Sequence, residues 1–566
     1  MFGSYLFSLT LIPIAAAHLL REKLPKSGGK KPKPTLFGFM DKLIKSIRNR
    51  YIKTLESTLR FRWQVLAGAL LFFAFSLYMA KNIGYELFPA MDVGQIIITV
   101  RLEPGTPLEE TEKEVIKMEQ MLRDELGDEL NMIVSNIGVF YDLPAAYTPN
   151  SGTQDAFINV QLKEDHTTST SEFVKRLRAR FRQSFPGVEF SYNTGGIVTA
   201  ALNEGLPSPI DIQIQGNSMY VANEIATRIR DTIMYIKGTR DTRILQRLNQ
   251  PQLDINLDRE KVAVMGLSAV DAIKNLVSGL NSSATFEKAF WIDESNGNHY
   301  FVGVTYPEYK IDNEHTIGNI TVTSPNHSQP IPLRNFAEIK RSSAPTEINH
   351  LNLTRVTNVY VNVEDIDIGT VAAEIEKRIE SMRSSFPEGY KVEIRGEIQS
   401  MKESFASLGL GLILAVVLIY LVIVPLFRSF RLPLVILLAV PFGLIGVIWM
   451  LLLTDTYMSI QALMGVIMMV GIIVAISNLL IDRINVLSKT TSNIHEAIIS
   501  GAHDRFRPVI MTMLAAALGL TPLALGLQIG GEANVPLARA IIGGLMAALP
   551  VTLYIIPILY SFIAKK

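Results

Sequence analysis

The chemistry open to this 566-residue chain is narrow: it has eight histidines, no cysteine, and near-balanced charge (54 Lys+Arg, 53 Asp+Glu). Without cysteine, thiolate metal sites, disulfide frameworks and a Cys nucleophile are excluded. The histidines stand at no HExxH or other metal-ligand spacing, and no GxGxxG, GxxxxGK[ST] or GxSxG run occurs. The residues therefore supply no catalytic constellation, no resident metal site and no cofactor cradle, so the chain does not read as an enzyme. Polar chemistry is confined to two places. Ser477 and Asn478 interrupt one apolar run, and Arg505 and Thr512 stand at the start of another. Ionisable residues at membrane depth mark ion pathways, yet the apolar runs carry none. These four are thus either parts of a polar path or interhelical hydrogen-bonding groups worth roughly 0.6–2 kcal/mol each. The second place is the loop Gly138–Gln154, long enough to suggest function. Its Phe140, Tyr141 and Tyr147 are either substrate contacts or anchors packing the loop onto its own domain.

The elements that must position these residues follow from hydropathy. Mean hydropathy is +0.25 with 48% hydrophobic and 19% charged residues, against roughly 25% charged in soluble proteins. Such a balance fits several membrane spans joined to a large water-exposed part. Five runs meet the ~20-residue crossing length: Val65–Met79 with its flank Trp63, Leu408–Phe427, Leu432–Leu453, Ile460–Ile481 and Ile541–Ala564. A sixth, Pro508–Leu527, is broken by Gly519 and Pro522. Residues 1–20 are apolar and precede Arg21, Glu22 and Lys23, the reverse of a secretory signal. They read as a partial span entered from outside.

Charge orients the spans. From Arg21 to Arg62 there are 13 Lys/Arg against Glu22, Asp41 and Glu56, which places residues 21–62 in the cytoplasm. There Leu43, Ile47, Tyr51, Leu55 and Leu59 recur at helical spacing opposite Lys42, Lys45 and Lys53. This pattern fits an interfacial helix on the inner leaflet or an ordinary amphipathic one. Alternation puts residues 85–400 outside.

That outer region repeats strand–helix–strand units: Gln95–Leu102, Leu108–Leu126, Met132–Val139; then Ala156–Leu162, Ser171–Phe185, Val188–Asn193; then Ile210–Gln215, Tyr220–Ile236, Thr242–Gln246; then Thr357–Val363, Thr370–Ser385, Lys391–Arg395. Thr106 is expected as N-cap of the first helix with Pro107 at N1. The expected fold is an α-helical membrane bundle plus a large periplasmic α+β region of ferredoxin-like split β-α-β units. Its expected parts are a span at 63–84, one unit at 85–205, a second at 206–250 and 347–400, an inserted subdomain at 251–346, and five spans in 401–566.

Local runs now carry a resemblance. GYELFPAMDVGQI (Gly84–Ile96), PGTPLEETE (Pro104–Glu112), DREKVAVMGLS (Asp258–Ser268), PLFRSFRLPLVILLAVPFGLIG (Pro425–Gly446), RFRPVIMT (Arg505–Thr512) and GGEANVPLARAIIGGL (Gly530–Leu545) stand in one order along the chain. In that order the chain resembles the C-terminal half of a resistance–nodulation–division (RND) efflux permease of the hydrophobe/amphiphile type. The resemblance implies two porter subdomains, the second interrupted by a docking subdomain. It implies an inner-membrane protein working as a trimer of complete protomers, with a periplasmic adaptor, an outer-membrane channel, membrane lipids and small amphiphilic substrates, and no nucleic acid.

Permeases of this kind have about twice this length, so an N-terminal-half polypeptide is expected as partner. The resemblance also gives Arg505 and Thr512 the place of a proton relay, with Ser477 and Asn478 nearby. Aligned on Gly471 and Asp482, however, the relay lysine position holds Ala475. Three readings follow: a proton-coupled exporter half, a transport-inactive scaffold that docks periplasmic partners, or a membrane-anchored binding domain. A heavy-metal exporter is less favoured, because the outer methionines are scattered on helical faces.

Overall fold

The computed structural model describes residues 2–19, 36–89, 91–138, 150, 152–194, 207–311, 313–324, 327–491, 493–527 and 531–563. Two short apolar helices, α1 (Phe2–Leu9) and α2 (Leu11–Leu19), come first. The amphipathic α3 (Leu36–Arg60) follows, then the span α4 (Arg62–Met79). On α3, Tyr51, Leu55 and Leu59 are four residues apart and fully buried, so one stripe of this helix packs on the membrane bundle.

The outer region holds three separate cores. The first sheet is β1 (Gln95–Arg101), β2 (Leu130–Ile137), β3 (Asp155–Leu162) and β4 (Glu189–Thr194), antiparallel in the order β2-β3-β1-β4. Alternation in QIIITVR sends Ile96, Ile98 and Val100 to one face. Val115, Met118 and Leu122 of α5 (Leu108–Leu126) and Phe173, Leu177 and Phe181 of α6 (Thr170–Ser184) cover that face. Helix α5 has the expected range but not the expected cap. Pro107 is its N-cap, and the Thr106 hydroxyl donates instead to Glu103 O at 2.8 Å. The proline has no N–H to give, so the threonine closes the preceding turn.

The second unit begins with β5 (Ile210–Gln215), α7 (Met219–Ile233) and β6 (Thr239–Ile244). The chain then leaves through β7 (Gln250–Leu257), α8 (Arg259–Val264), α9 (Ala269–Asn281), the hairpin β8 (Ala289–Ile292) and β9 (His299–Val302), α10 (Glu314–Gly318), the hairpin β10 (Thr321–Ser324) and β11 (His327–Pro332), and β12 (Ala337–Ala344). Strand β12 pairs antiparallel with β7 over its whole length and closes this excursion, which has its own core around Leu333 and Phe336. Strands β13 (Asn349–Leu351), β14 (Thr354–Val363) and β15 (Lys391–Gly396), with α11 (Ile368–Met382), return to complete the sheet β13-β14-β5-β15.

From Gly396, with φ +92°, the chain turns directly into α12 (Glu397–Phe427). The rest is α13 (Arg431–Leu437), α14 (Ala439–Leu453), α15 (Ile460–Thr490), α16 (Ile494–Ala524), α17 (Val535–Pro550), a π-helical turn at Val551–Ile555, and α18 (Ile556–Ile563). Among the described residues six helical stretches are long and apolar enough to cross a membrane. The last opens at Glu532 rather than Ile541.

Helices α14, α15 and α17 form the buried centre, while α4 and α12 are mostly exposed. Small residues allow this packing. A Cβ on Gly446 would stand 2.0 Å from Gly543 O, and one on Gly465 2.8 Å from Leu537 O. Pro557 cannot donate to the Leu553 carbonyl four residues back. The buried Tyr51 hydroxyl donates to that oxygen at 2.8 Å, and its ring stacks on Phe506 with centroids 4.9 Å apart. Such repair of an orphaned carbonyl is what a low-dielectric interior requires.

Gly543→Leu should therefore separate α14 from α17, costing at least about 1–3 kcal/mol. Gly519→Leu, with open space at its Cβ, should be tolerated. Thermal unfolding in detergent should show the first variant melting well below the second.

Candidate functional site

Helix α15 has two unlike faces. Met464, Met468, Gly471, Ala475 and Leu479 form an exposed stripe, whereas Val470, Ile473, Ser477 and Leu480 are buried. Thr512 lies on the exposed side of α16 with Met511 and Leu518, and Arg505 is half-buried. The four relay candidates are thus not gathered. Ser477 points into the bundle, Asn478 is half-buried, and Thr512 shares exposure with Ala475.

Hydrogen bonding separates them further. Thr512 Oγ1 donates to Pro508 O of its own helix at 2.9 Å, as Ser76, Thr454 and Thr521 do to the carbonyl four residues back. Ser477 Oγ, Asn478 Oδ1 and Arg505 Nε are buried without a partner, and Thr552 Oγ1 in the π-helical turn is too. Among the described residues none of the four candidates has a recorded hydrogen bond to a neighbouring helix, and neither of the two roles open to them is assigned. Thr552 escaped sequence reading, although Pro550 and Pro557 on either side of it signal an irregular helix.

Arg539 was also missed, because the last span was started two residues after it. Its guanidinium donates to Ala524 O (3.1 Å), Thr454 O (3.2 Å) and Thr456 Oγ1 (2.6 Å). It thereby caps the C-terminal ends of α14 and α16 where the helix dipoles favour a cation.

Outside the bundle a cleft of about 730 Å³ lies between the two sandwiches. Arginines hold them together. Arg101 of β1 donates to Leu245 O at 3.0 Å, and Arg247 pairs with Glu189 at 2.8 Å. Arg178 of α6 is bidentate to Asp241 at 3.1 Å and also pairs with Glu364. The cleft wall carries Arg178, Arg182, Arg240 and Arg243 against only Glu189 and Asp241, with Phe185, Phe190 and Tyr192 between them.

Arg243 stands apart from the others. It is 4% exposed, its Nη1 is buried without a partner, and its guanidinium carbon is 5.6 Å from the Tyr360 ring centroid. Burial pulls its pKa below the usual arginine value. The cleft is therefore a positively charged, aromatic-walled space, with one unpaired guanidinium nitrogen of Arg243 buried behind its wall. Phe140, Tyr141 and Tyr147 lie outside the described residues. Asn150 ties the inner end of their loop, donating to Gly138 O at 2.7 Å. Among the described residues no group of three or more His, Cys, Asp or Glu is placed to hold a metal ion.

A helical bundle carrying two antiparallel split β-α-β sandwiches, one interrupted by a smaller subdomain, is the architecture of an RND efflux permease half. The model of the AcrB/AcrD/AcrF family matches residues 1–564, and the chain belongs to that family. It is 25% identical over 578 residues to the cobalt-zinc-cadmium resistance protein CzcA of Cupriavidus metallidurans, covering 100% of this chain and 52% of that protein. It is equally 25% identical over 579 residues to the multidrug resistance protein MdtC of Pectobacterium atrosepticum, covering 99% and 52%. A crystal structure of a heavy metal efflux pump superposes with a TM-score of 0.80 at 24% identity, covering 93% of this chain and 52% of that one, a likeness that shows the fold. The chain spans about half the length of the curated relatives it matches.

Arg243→Met removes a buried charge that has no ion-pair partner and keeps the side-chain volume. Thermal stability should hold or rise by about 1 kcal/mol, because such a replacement relieves desolvation. A fall of several kcal/mol on thermal unfolding would mean that the guanidinium is fully compensated.

Proposed function

We propose that this chain forms the C-terminal-half part of a proton-coupled inner-membrane exporter of small amphiphilic compounds, with residues 85–400 in the periplasm. The observation that carries the substrate class is the cleft between the sandwiches, where four arginines stand against two carboxylates among aromatic side chains. A net positive lining favours an anionic or polar headgroup and disfavours a bare divalent cation. This supports the multidrug kind of relative over the metal-resistance kind. Aromatic side chains would take the apolar part of the same molecule. Phe140, Tyr141 and Tyr147 remain proposed contacts at the loop that borders β2.

The bundle needs the sequence that corresponds to the other half of the relatives. The stripe from Met464 to Leu479 and the exposed face of α16 are the surfaces it would cover, bringing its groups to Thr512, Arg505 and, through internal water, Ser477 and Asn478. Assembly as a trimer with a periplasmic adaptor and an outer-membrane channel belongs to the same proposal. The ribbon β8–β9, whose described side chains are all exposed to about half, supports a docking role, since Phe290–Phe301 and Trp291–Tyr300 present aromatic pairs on both of its faces. The basic side of α3 would rest on lipid headgroups.

One observation favours a second reading: Ala475 stands where the relay lysine is expected, which fits a transport-inactive scaffold docking periplasmic partners. Export by the assembled complex, at matched abundance, separates the two. Thr512→Ala or Arg505→Ala should cut gradient-driven export at least tenfold, while Asp482→Asn leaves it within twofold. Gradient dependence that is unchanged in both Thr512 and Arg505 variants would remove the relay and leave the scaffold.

A further inference from the structure

Two carboxylates that the proposed relay does not use sit where the bundle meets the second sandwich. On leaving α4, the segment Gly84–Leu87 lays its backbone between two neighbours. On one side is the turn joining α14 to α15. Glu86 N–H donates to Met458 O (3.1 Å), Met458 N–H to Gly84 O (2.8 Å), and Ile460 N–H to Leu87 O (3.2 Å). On the other side is the first turn of α11. Gly369 N–H donates to Tyr85 O (3.0 Å), and Tyr85 N–H donates to Asp367 Oδ2 (2.8 Å). The same carboxylate caps α11 by accepting from Thr370 N–H at 2.8 Å. There is no slack in this joint. A Cβ on Gly84 would come 2.4 Å from Asp367 Oδ1, and one on Gly369 2.8 Å from Tyr85 Cβ.

Beside the joint lies a cavity of about 360 Å³ whose wall includes Glu86 and Glu397, the first residue of α12. The charged and titratable groups around Glu86 come from every packed element. They are Glu397 of α12, Asp367, Asp365 and Glu364 before α11, Tyr457 and Asp455 of the α14–α15 turn, Arg178 of α6 and Tyr192 of β4. Arg178, the one cation on this wall, is already held by Asp241 and Glu364. Among the described residues no cation pairs with Glu86 or Glu397. Burial first, and then the charges of Glu397 and Asp367, push Glu86 up to about 8 from its ordinary 4.5.

We propose that Glu86 and Glu397 form a proton-operated hinge between the membrane bundle and the second sandwich, closed when the two share one proton and so carry a single negative charge, and opened when both are ionised. The closed joint binds the proton more tightly than the open one does. Acid therefore favours closure, which is complete below the open-state pKa. Closure weakens as pH rises from about 4.5 and is lost through about 8, roughly tenfold per pH unit. Opening frees the outer end of α12 from Gly84–Leu87 while the backbone pairing to α15 and α11 loosens with it. The consequence for transport rests on the exporter reading: the acidified outer side would close the hinge, and proton loss would release it.

The test needs no transport. Hydrogen–deuterium exchange of the purified full chain, corrected for the intrinsic rate, reads protection at peptides containing Tyr85–Leu87 and Met458–Ile460 between pH 6 and 9. Wild-type protection should fall about tenfold per unit up to about pH 8. Glu86→Gln should stay protected throughout, with Glu397→Gln flattening the profile as well, while peptides of β1 and β3 exchange alike in all three and report intact folding. A flat wild-type profile, or an unchanged slope in both variants, overturns the hinge. Export by the assembled complex is the second arm. If Glu86→Gln flattens exchange but no export is found in any version, the exporter reading fails while the hinge stands.

Discussion

The backbone pairing of Gly84–Leu87 with the α14–α15 turn and with the first turn of α11 makes the helices and the sheets one mechanical body. Covalent continuity alone would not do so, because a strand can swivel about a single connection. Here the α4 exit, the α14–α15 turn, α11 and α12 converge, and two glycines are needed for the approach. Hydrogen bonds run from the start of α15 through Met458 to Gly84–Leu87, and from Tyr85 to Asp367 and Gly369 at the start of α11, the route by which a displacement of α15 would be passed to the sheet. The cleft with Arg243 is walled on one side by β6 of that sheet and on the other by α6 and β4 of the first sandwich. Its width is therefore set by how the two sandwiches are held, and one of them is held by this joint.

The bundle is unevenly finished in a way that physics makes informative. Its centre is closed by direct glycine contacts, its last span is repaired at Leu553 by Tyr51, and its outer helix ends are capped by Arg539. Against that economy, Ser477, Asn478, Arg505 and Thr552 retain buried atoms with no partner. An unmade hydrogen bond in a buried site costs roughly 1–3 kcal/mol. Ala475 and Thr512 face outward, and in the exporter reading the relay is completed by residues that pack against those faces.

Much of this was legible in the sequence where one physical signal dominates. Period-2 runs such as QIIITVR and IDIQIQ gave their strands nearly residue for residue. Apolar length located the spans, and the run at 84–96 together with Arg505–Thr512 carried the family. Interactions joining residues far apart in sequence were not legible. The pairing of Tyr51 with Leu553 depends on a carbonyl orphaned by Pro557, and nothing near Tyr51 announces it. Arg539 was lost because a single arginine two residues before an apolar run looks like an edge. Glu86 reads as an ordinary acid in GYELFP until Glu397, more than three hundred residues later, is folded beside it. The relay candidates were chosen by position along their helices, and helical phase then put Ser477 inside and Thr512 outside.

The central claim is that motion in the bundle reaches the cleft through the Gly84–Leu87 joint. The absence of native cysteine makes it directly measurable. Spin labels on Ser184→Cys and Tyr235→Cys flank the cleft on its two sandwiches, and their separation can be measured in the membrane-embedded, assembled protein at pH 6 and pH 9. The account predicts two separations whose populations exchange between the two pH values, and a single population when Glu86→Gln keeps the joint closed. One unchanging distance in the wild type, or an exchange of populations that survives Glu86→Gln, would contradict it.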